Sequence, residues 1–238
     1  MQKNKYSEII YKLLRLLKVI RGKDIFICKD INIDTETFGN KCVEWTFYSK
    51  TIDENSVVYS FGVGDDISFD LSLINKYDLQ IFAFDPTPKS FDWITSQNLP
   101  NQFVINNIGL ADYDGKAKFN PPENPEHISA TMLERPETKN QSYKVDVKTL
   151  KSIMKELNHS EIDILKMDIE GMEYRVIDNL LENNILPYQI LIEFHHRFKN
   201  VGIKETAKTV KKLRKSGYKV FHVSKTGEEI AFIRKDKI

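Results

Sequence analysis

The sequence predicts an α/β protein built on a doubly wound, mostly parallel sheet that ends in an antiparallel hairpin. Three observations lead there. From Val57 onward, short apolar runs alternate with helical segments, the pattern of strands buried on both faces by helices. The first run, "VVYSF", breaks into Gly62-Val63-Gly64 and then a helix start, as ligand-binding strand–turn–helix units do. The end, "KVFHVSKTGEEIAFIRK", reads as two strands about a short Gly-containing turn.

The elements follow in chain order. "YKLLRLLKVIRGK" carries Ile9, Ile10, Leu13, Leu14, Leu17 and Ile20 at helical spacing. Such a helix packs on its own protein or on a partner subunit, a homodimer included. Its basic, amphipathic character makes a membrane surface the alternative. "DIFICKDINI" and "CVEWTFYS" are β-rich and flank polar "DTETFGNK", predicting a small antiparallel extension over residues 24–49. Residues 1–50 thus form a helix plus β extension, and 51–238 the ligand-binding domain.

Beyond the glycine turn, "ISFDLSLINKY" is a helix, "QIFAFD" a strand, the segment from Lys89 through "SFDWITSQN" a helix, and "FVINNIGL" a strand. Ala111 to Val145 is too proline-rich for regular structure and reads as an ordered excursion or lid. "VKTLKSIMKELN" is a helix, "IDILKMDI" a strand, "EYRVIDNLLENN" a helix and "QILIEFHH" a strand, followed by a helix from Ile203 to Ser216.

Composition excludes several classes. The 238 residues carry a net charge of +1, with 41% hydrophobic and 29% charged residues, so no nucleic-acid footprint stands out. Cys28 and Cys42 are too few for a disulfide framework and too far apart for a short metal-ligand pair, which suits a reducing, cytoplasmic setting. No apolar run reaches the ~20 residues of a membrane span.

The glycine loop lacks the third glycine of a dinucleotide fingerprint; Ile67 stands there. This disfavours an NAD-dependent oxidoreductase. Asp65 and Asp66 would repel a pyrophosphate at the helix N-terminus. They suit a cationic, phosphate-free adenosine cofactor, S-adenosylmethionine; the alternative is that both only cap the helix. Asp85, about 20 residues past the glycines, is placed to accept hydrogen bonds from ribose hydroxyls.

"VVYSFGVGDDISFDLSLI", "IFAFDPTPKSFDWI", "INNIGLAD", "IDILKMDIEGMEYRVIDNLL" and "ILIEFHH" together resemble the FkbM-type S-adenosylmethionine-dependent methyltransferases. The resemblance spans residues 57–196. It implies a Rossmann-like class I methyltransferase fold with a seven-stranded sheet, and O-methylation of a sugar, glycan or small-molecule hydroxyl. It places the cofactor against Ser60, Gly62, Gly64, Asp65, Asp66, Asp85, Pro86, Gly109 and Asp168. The family's first motif has an acid two residues before the first glycine; here that place holds Ser60, and the acids stand at 65 and 66.

The carboxyl ends of the strands bring the chemistry together. Lys166, Asp168 and Glu170 alternate, and so share a face if the strand stays extended. Glu193 and His195 share another, with His196 turned away. Methyl transfer to an alcohol needs in-line positioning and removal of a proton. His195 or His196 is the candidate base, His195 preferred, with Lys166 and Asp168 beside it. Asp168, Glu193 and His195 form an alternative site for Mg2+ or Mn2+ that would acidify the hydroxyl. Glu170, Glu193, His127 and Ser129 are candidate substrate contacts. A non-catalytic cofactor-binding protein of the same fold is the competing function.

Overall fold

The computed structural model describes residues 13–41, 43–124 and 126–238; Ile9, Ile10 and Cys42 lie outside them. Helix α1 runs through residues 13–20. A two-stranded ribbon follows, β1 (Glu36–Phe38) and β2 (Trp45–Phe47), paired antiparallel. Here the expected pairing changes. Residues 24–33 form no strand, and β1 arises within the polar stretch "DTETFGNK". Tertiary packing overrides local propensity: the ribbon buries Trp45 and Phe47 against the main sheet, and the Gln189 side chain bonds Tyr48 N at 2.7 Å and Tyr48 O at 2.8 Å.

The main sheet has seven strands in the order β11-β12-β10-β9-β3-β4-β5. They are β3 (Val58–Phe61), β4 (Ile81–Phe84), β5 (Phe103–Asn106), β9 (Ile164–Met167), β10 (Gln189–Glu193), β11 (Tyr218–Val223) and β12 (Glu229–Arg234). The pairs from β5 across to β10 are parallel; β12 runs antiparallel to both β10 and β11. This is the α/β architecture expected, terminal hairpin included. Side-chain alternation explains the unbroken apolar strands. Tyr59, Phe61, Leu165 and Met167 face one core with helices α4 (Leu150–Glu156), α5 (Glu173–Glu182) and α6 (Ile203–Lys215). Val58, Ile81, Ala83 and Ile164 face the other, with α2 (Ser68–Tyr77) and α3 (Pro88–Thr95).

Two segments differ from the sequence reading. "FVINNIGL" divides: β5 joins the main sheet, while β6 (Gly109–Leu110) enters a three-stranded sheet, β6-β8-β7. The 111–145 excursion is more regular than its prolines predict. Its flanks form β7 (Gly115–Phe119) and the start of β8 (Tyr143–Lys148), paired antiparallel over Ala117 and Val145. Val147 and Lys148, expected to be helical, are therefore strand. Between the flanks the chain is held by an Asn120–Thr131 bridge and by bonds to the β9 turn described below.

Candidate active site

Most of the candidate cleft residues collect where the parallel strands end. β3 delivers Gly62, and the close approach of β9 requires a glycine there. Its φ is +70°, and a Cβ would overlap the carbonyl oxygen of Asp168. Gly64 (φ +58°) turns its N–H to Asp85 Oδ2 at 3.0 Å, while Asp85 Oδ1 accepts from Thr87 N at 2.8 Å. Burial raises the Asp85 pKa against these bonds. A loop whose glycine N–H already serves a carboxylate is poorly equipped for a pyrophosphate.

These residues floor a solvent-open cleft. Its walls include Phe61, Phe84, Pro86, Gly109, Ile128, Ser129, Asp168 and Glu170. A Cβ on Gly109 would press on Pro86 Cγ at 3.1 Å, so the two expected cofactor residues pack together.

The motif "KMDIEG" does not stay extended. β9 ends at Met167, Glu170 adopts a left-handed φ of +52°, and Gly171 follows at +101°. A strained non-glycine residue at such a turn is a common mark of function. The turn is clamped from both sides. Thr131 Oγ1 donates to Glu170 O at 2.5 Å, and Glu173 Oε1 accepts from Ile169 N at 3.2 Å and Gly171 N at 3.1 Å. The same Glu173 oxygen lies 2.9 Å from His195 Nδ1. His195 Nε2 stands 3.6 Å from Asp168 Oδ1 and 3.7 Å from Glu170 Oε2, with the ring against Phe198.

The electrostatics follow from this crowding. Burial by itself lowers the His195 pKa, but the Glu173 charge and hydrogen bond, with Asp168 and Glu170, outweigh it and raise the value well above the ordinary one. Burial raises Glu170, and burial with the Asp168 charge pushes Glu193 up to about 9. Ligand atoms of Asp168, Glu193 and His195 lie within 4.8 Å of one another, so the three predicted metal candidates do converge.

Other predicted residues lie elsewhere. Lys166 is buried behind the glycine loop, 4.9 Å from the Trp45 ring centroid and 3.4 Å from Gly62 O. It supports the loop and does not share the face of Asp168 and Glu170, because the turn breaks the strand period. His196 points away from the cleft, its Nε2 3.3 Å from the buried Asp24. Ser60 is fully buried within β3. Neither Asp65 nor Asp66 lines the cleft: Asp65 is exposed, and Asp66 accepts from Ser68 N at 2.9 Å and Asn40 Nδ2 at 2.9 Å. Asp66 is thus the helix-start bond expected as the alternative. Ser129 lines the cleft, whereas exposed His127 lines an adjoining groove with Lys89, Pro121 and Tyr143.

Three contributors escaped the sequence reading. Glu173 orients His195, and its place in the first turn of α5, three residues after Glu170, was the available signal. Arg135, from the excursion, bonds Ser129 O at 2.8 Å and lies 3.7 Å from Glu170. Asp24 binds Arg197 at 2.8 Å beside the histidine pair. Neither Arg135 nor Asp24 has a local signal.

Residues 54–220 match the methyltransferase FkbM domain model. The chain belongs to the FkbM methyltransferase family. Probable methyltransferase-like protein 24 of Homo sapiens and that of Rattus norvegicus are each 25% identical to it over 191 residues, 75% of this chain. The chain spans 46% of the length of these relatives. The crystal structure of the FkbM methyltransferase from Methylobacillus flagellatus KT is 12% identical, with a TM-score of 0.47 over 76% of this chain and 44% of that one. In this methyltransferase domain, the matched span includes the glycine loop, Asp85, the "KMDIEG" turn and His195.

Proposed function

We propose that this chain is an S-adenosylmethionine-dependent O-methyltransferase acting on a sugar, glycan or small-molecule hydroxyl. One observation carries the reading. Asp168 and Glu170 line the glycine-loop cleft and also flank His195 Nε2 at 3.6 and 3.7 Å, so a cofactor pocket and a proton acceptor share one turn.

The residues present fit the cofactor. Gly62 and Gly64 keep the floor free of side chains, Asp85 offers carboxylate lone pairs to ribose hydroxyls, and the acidic wall suits a sulfonium and an ammonium. When bound, the cofactor supplies the activated methyl group. The chain holds the acceptor in line and takes its proton at His195 Nε2, with Glu173 fixing the ring. The carboxylates around His195 raise its pKa, and positive charge beside Asp168 and Glu170 would offset theirs and bring it back toward the range of a general base.

A divalent ion is the second reading, favoured by the convergence of Asp168, Glu193 and His195. Two carboxylates and an imidazole are a donor set for Mn2+ or Mg2+, whose chemistry there would be to lower the pKa of an acceptor hydroxyl.

Calorimetry with S-adenosylhomocysteine on the wild type and Asp85→Ala tests the cofactor. An acceptor screen with and without chelator then separates the two routes. Absence of cofactor binding by the wild type overturns the proposal. Binding that survives Asp168→Ala and His195→Ala, with no product from any hydroxyl acceptor, would leave a non-catalytic binding protein.

A further inference from the structure

Helix α1 is mounted the wrong way round for a helix that serves its own core. At 3.6 residues per turn, Leu13, Leu16, Leu17 and Ile20 share one face, and they are 54%, 52%, 46% and 72% exposed. The opposite side holds the helix to the protein. Arg15 is half-buried there, donating to Ile25 O at 3.2 Å and Lys225 O at 3.3 Å, 3.8 Å from buried Asp24. A Cβ on Gly227 would overlap the Arg15 guanidinium, so that surface is shaped around the arginine. The helix is therefore fastened through Arg15, with Val19 half-buried beside it, and presents its leucine side to the surroundings. Phe26, six residues after Ile20, is also exposed, at 68%.

Charge identifies the occupant. Lys18 on the helix, and Arg21 and Lys23 just beyond its end, are exposed, and residues 13–23 contain no acid. A two-fold contact with a second copy would bring two acid-free cationic segments together. A negatively charged lipid surface satisfies both features at once, taking the leucines between acyl chains and the cations among headgroups.

We propose that α1 is an interfacial helix that seats this protein on an anionic bilayer. The seat lies on the same edge as the cleft, because Asp24, which receives Arg15, also binds Arg197 and His196 next to His195. The inference does not depend on the cofactor or the reaction.

The test is co-sedimentation of the full chain with vesicles of phosphatidylcholine, alone or with one-third phosphatidylserine. The variants are Leu16→Gln/Leu17→Gln/Ile20→Gln and Lys18→Glu/Arg21→Glu, with unchanged unfolding midpoints as the folding control, since all five side chains are exposed. The wild type is expected to sediment with the anionic vesicles, less so in high salt, and both variants to bind about tenfold or more weakly. Wild-type protein left in the supernatant with anionic vesicles overturns the proposal, as does equal sedimentation of both variants. A dimer in light scattering that the triple variant dissociates, without vesicle binding, would assign the face to a second copy instead.

Discussion

His195 Nδ1 lies 2.9 Å from Glu173 Oε1, while its Nε2 faces Asp168 and Glu170 from the cleft side. One ring nitrogen is thus committed to orientation and the other to the pocket. Glu173 also ties down Ile169 N and Gly171 N, so ring and turn are positioned by a single fully buried carboxylate.

Replacing Glu173 by Gln removes the charge and keeps the shape. The His195 pKa is expected to fall toward its ordinary value, because the Glu173 charge is the leading influence holding it up against burial. NMR titration of the imidazole reads this without any acceptor. With an acceptor in hand, Glu173→Gln should lower turnover, and His195→Ala should lower it about 10²- to 10⁴-fold.

The two glycines of the loop should respond differently to alanine. At Gly62 a Cβ meets backbone, the Asp168 carbonyl, which has nowhere to move. At Gly64 it meets only Ile128 Cδ1 at 3.3 Å, the end of a flexible side chain. Positive φ alone costs each about 1–2 kcal/mol. Urea unfolding should show Gly62→Ala well beyond that range and Gly64→Ala within it, while S-adenosylhomocysteine binding should weaken in both, in Gly64→Ala because the new methyl group stands against Ile128 in the cleft.

Asp85 has two jobs, bracing the loop through Gly64 N and Thr87 N and facing the cleft. Asp85→Ala should weaken S-adenosylhomocysteine binding at least tenfold, about 1.4 kcal/mol, and also lower the unfolding midpoint. A loss of binding with no change in stability would mean that the bracing bonds contribute little.

Away from the site, burial lowers the pKa of His159 below its ordinary 6.5, and its Nδ1 is 2.7 Å from Tyr59 Oη. The unfolded chain therefore binds a proton that the folded one resists. This stabilisation is present above pH 6.5 and is lost as pH falls through the lower, folded value. Denaturant titrations of His159→Gln between pH 7 and 5 should show a shallower fall in stability than the wild type.

The amino-acid sequence by itself determined the sheet, the glycine turn and the edge on which the chemistry sits. Those are consequences of local period and chain order: apolar strands alternating with helices leave little choice of topology, and parallel strands put all their carboxyl ends on one side. "SFGVG", "AFD", "KMD" and "EFHH" therefore meet whatever the rest of the chain does. Tertiary structure alone decided which neighbours those residues found. Glu173 and not a partner on its own strand orients His195, Asp24 from the N-terminal segment takes His196, Arg135 arrives from the excursion, and Trp45 covers Lys166. Such partners lie tens of residues or more apart in the chain for Asp24, Arg135 and Trp45, so no local spacing signals them. The outward face of α1 is a decision of the same kind. Periodicity shows that a helix has an apolar side, but only the docking of Arg15 shows that the protein keeps the other side for itself.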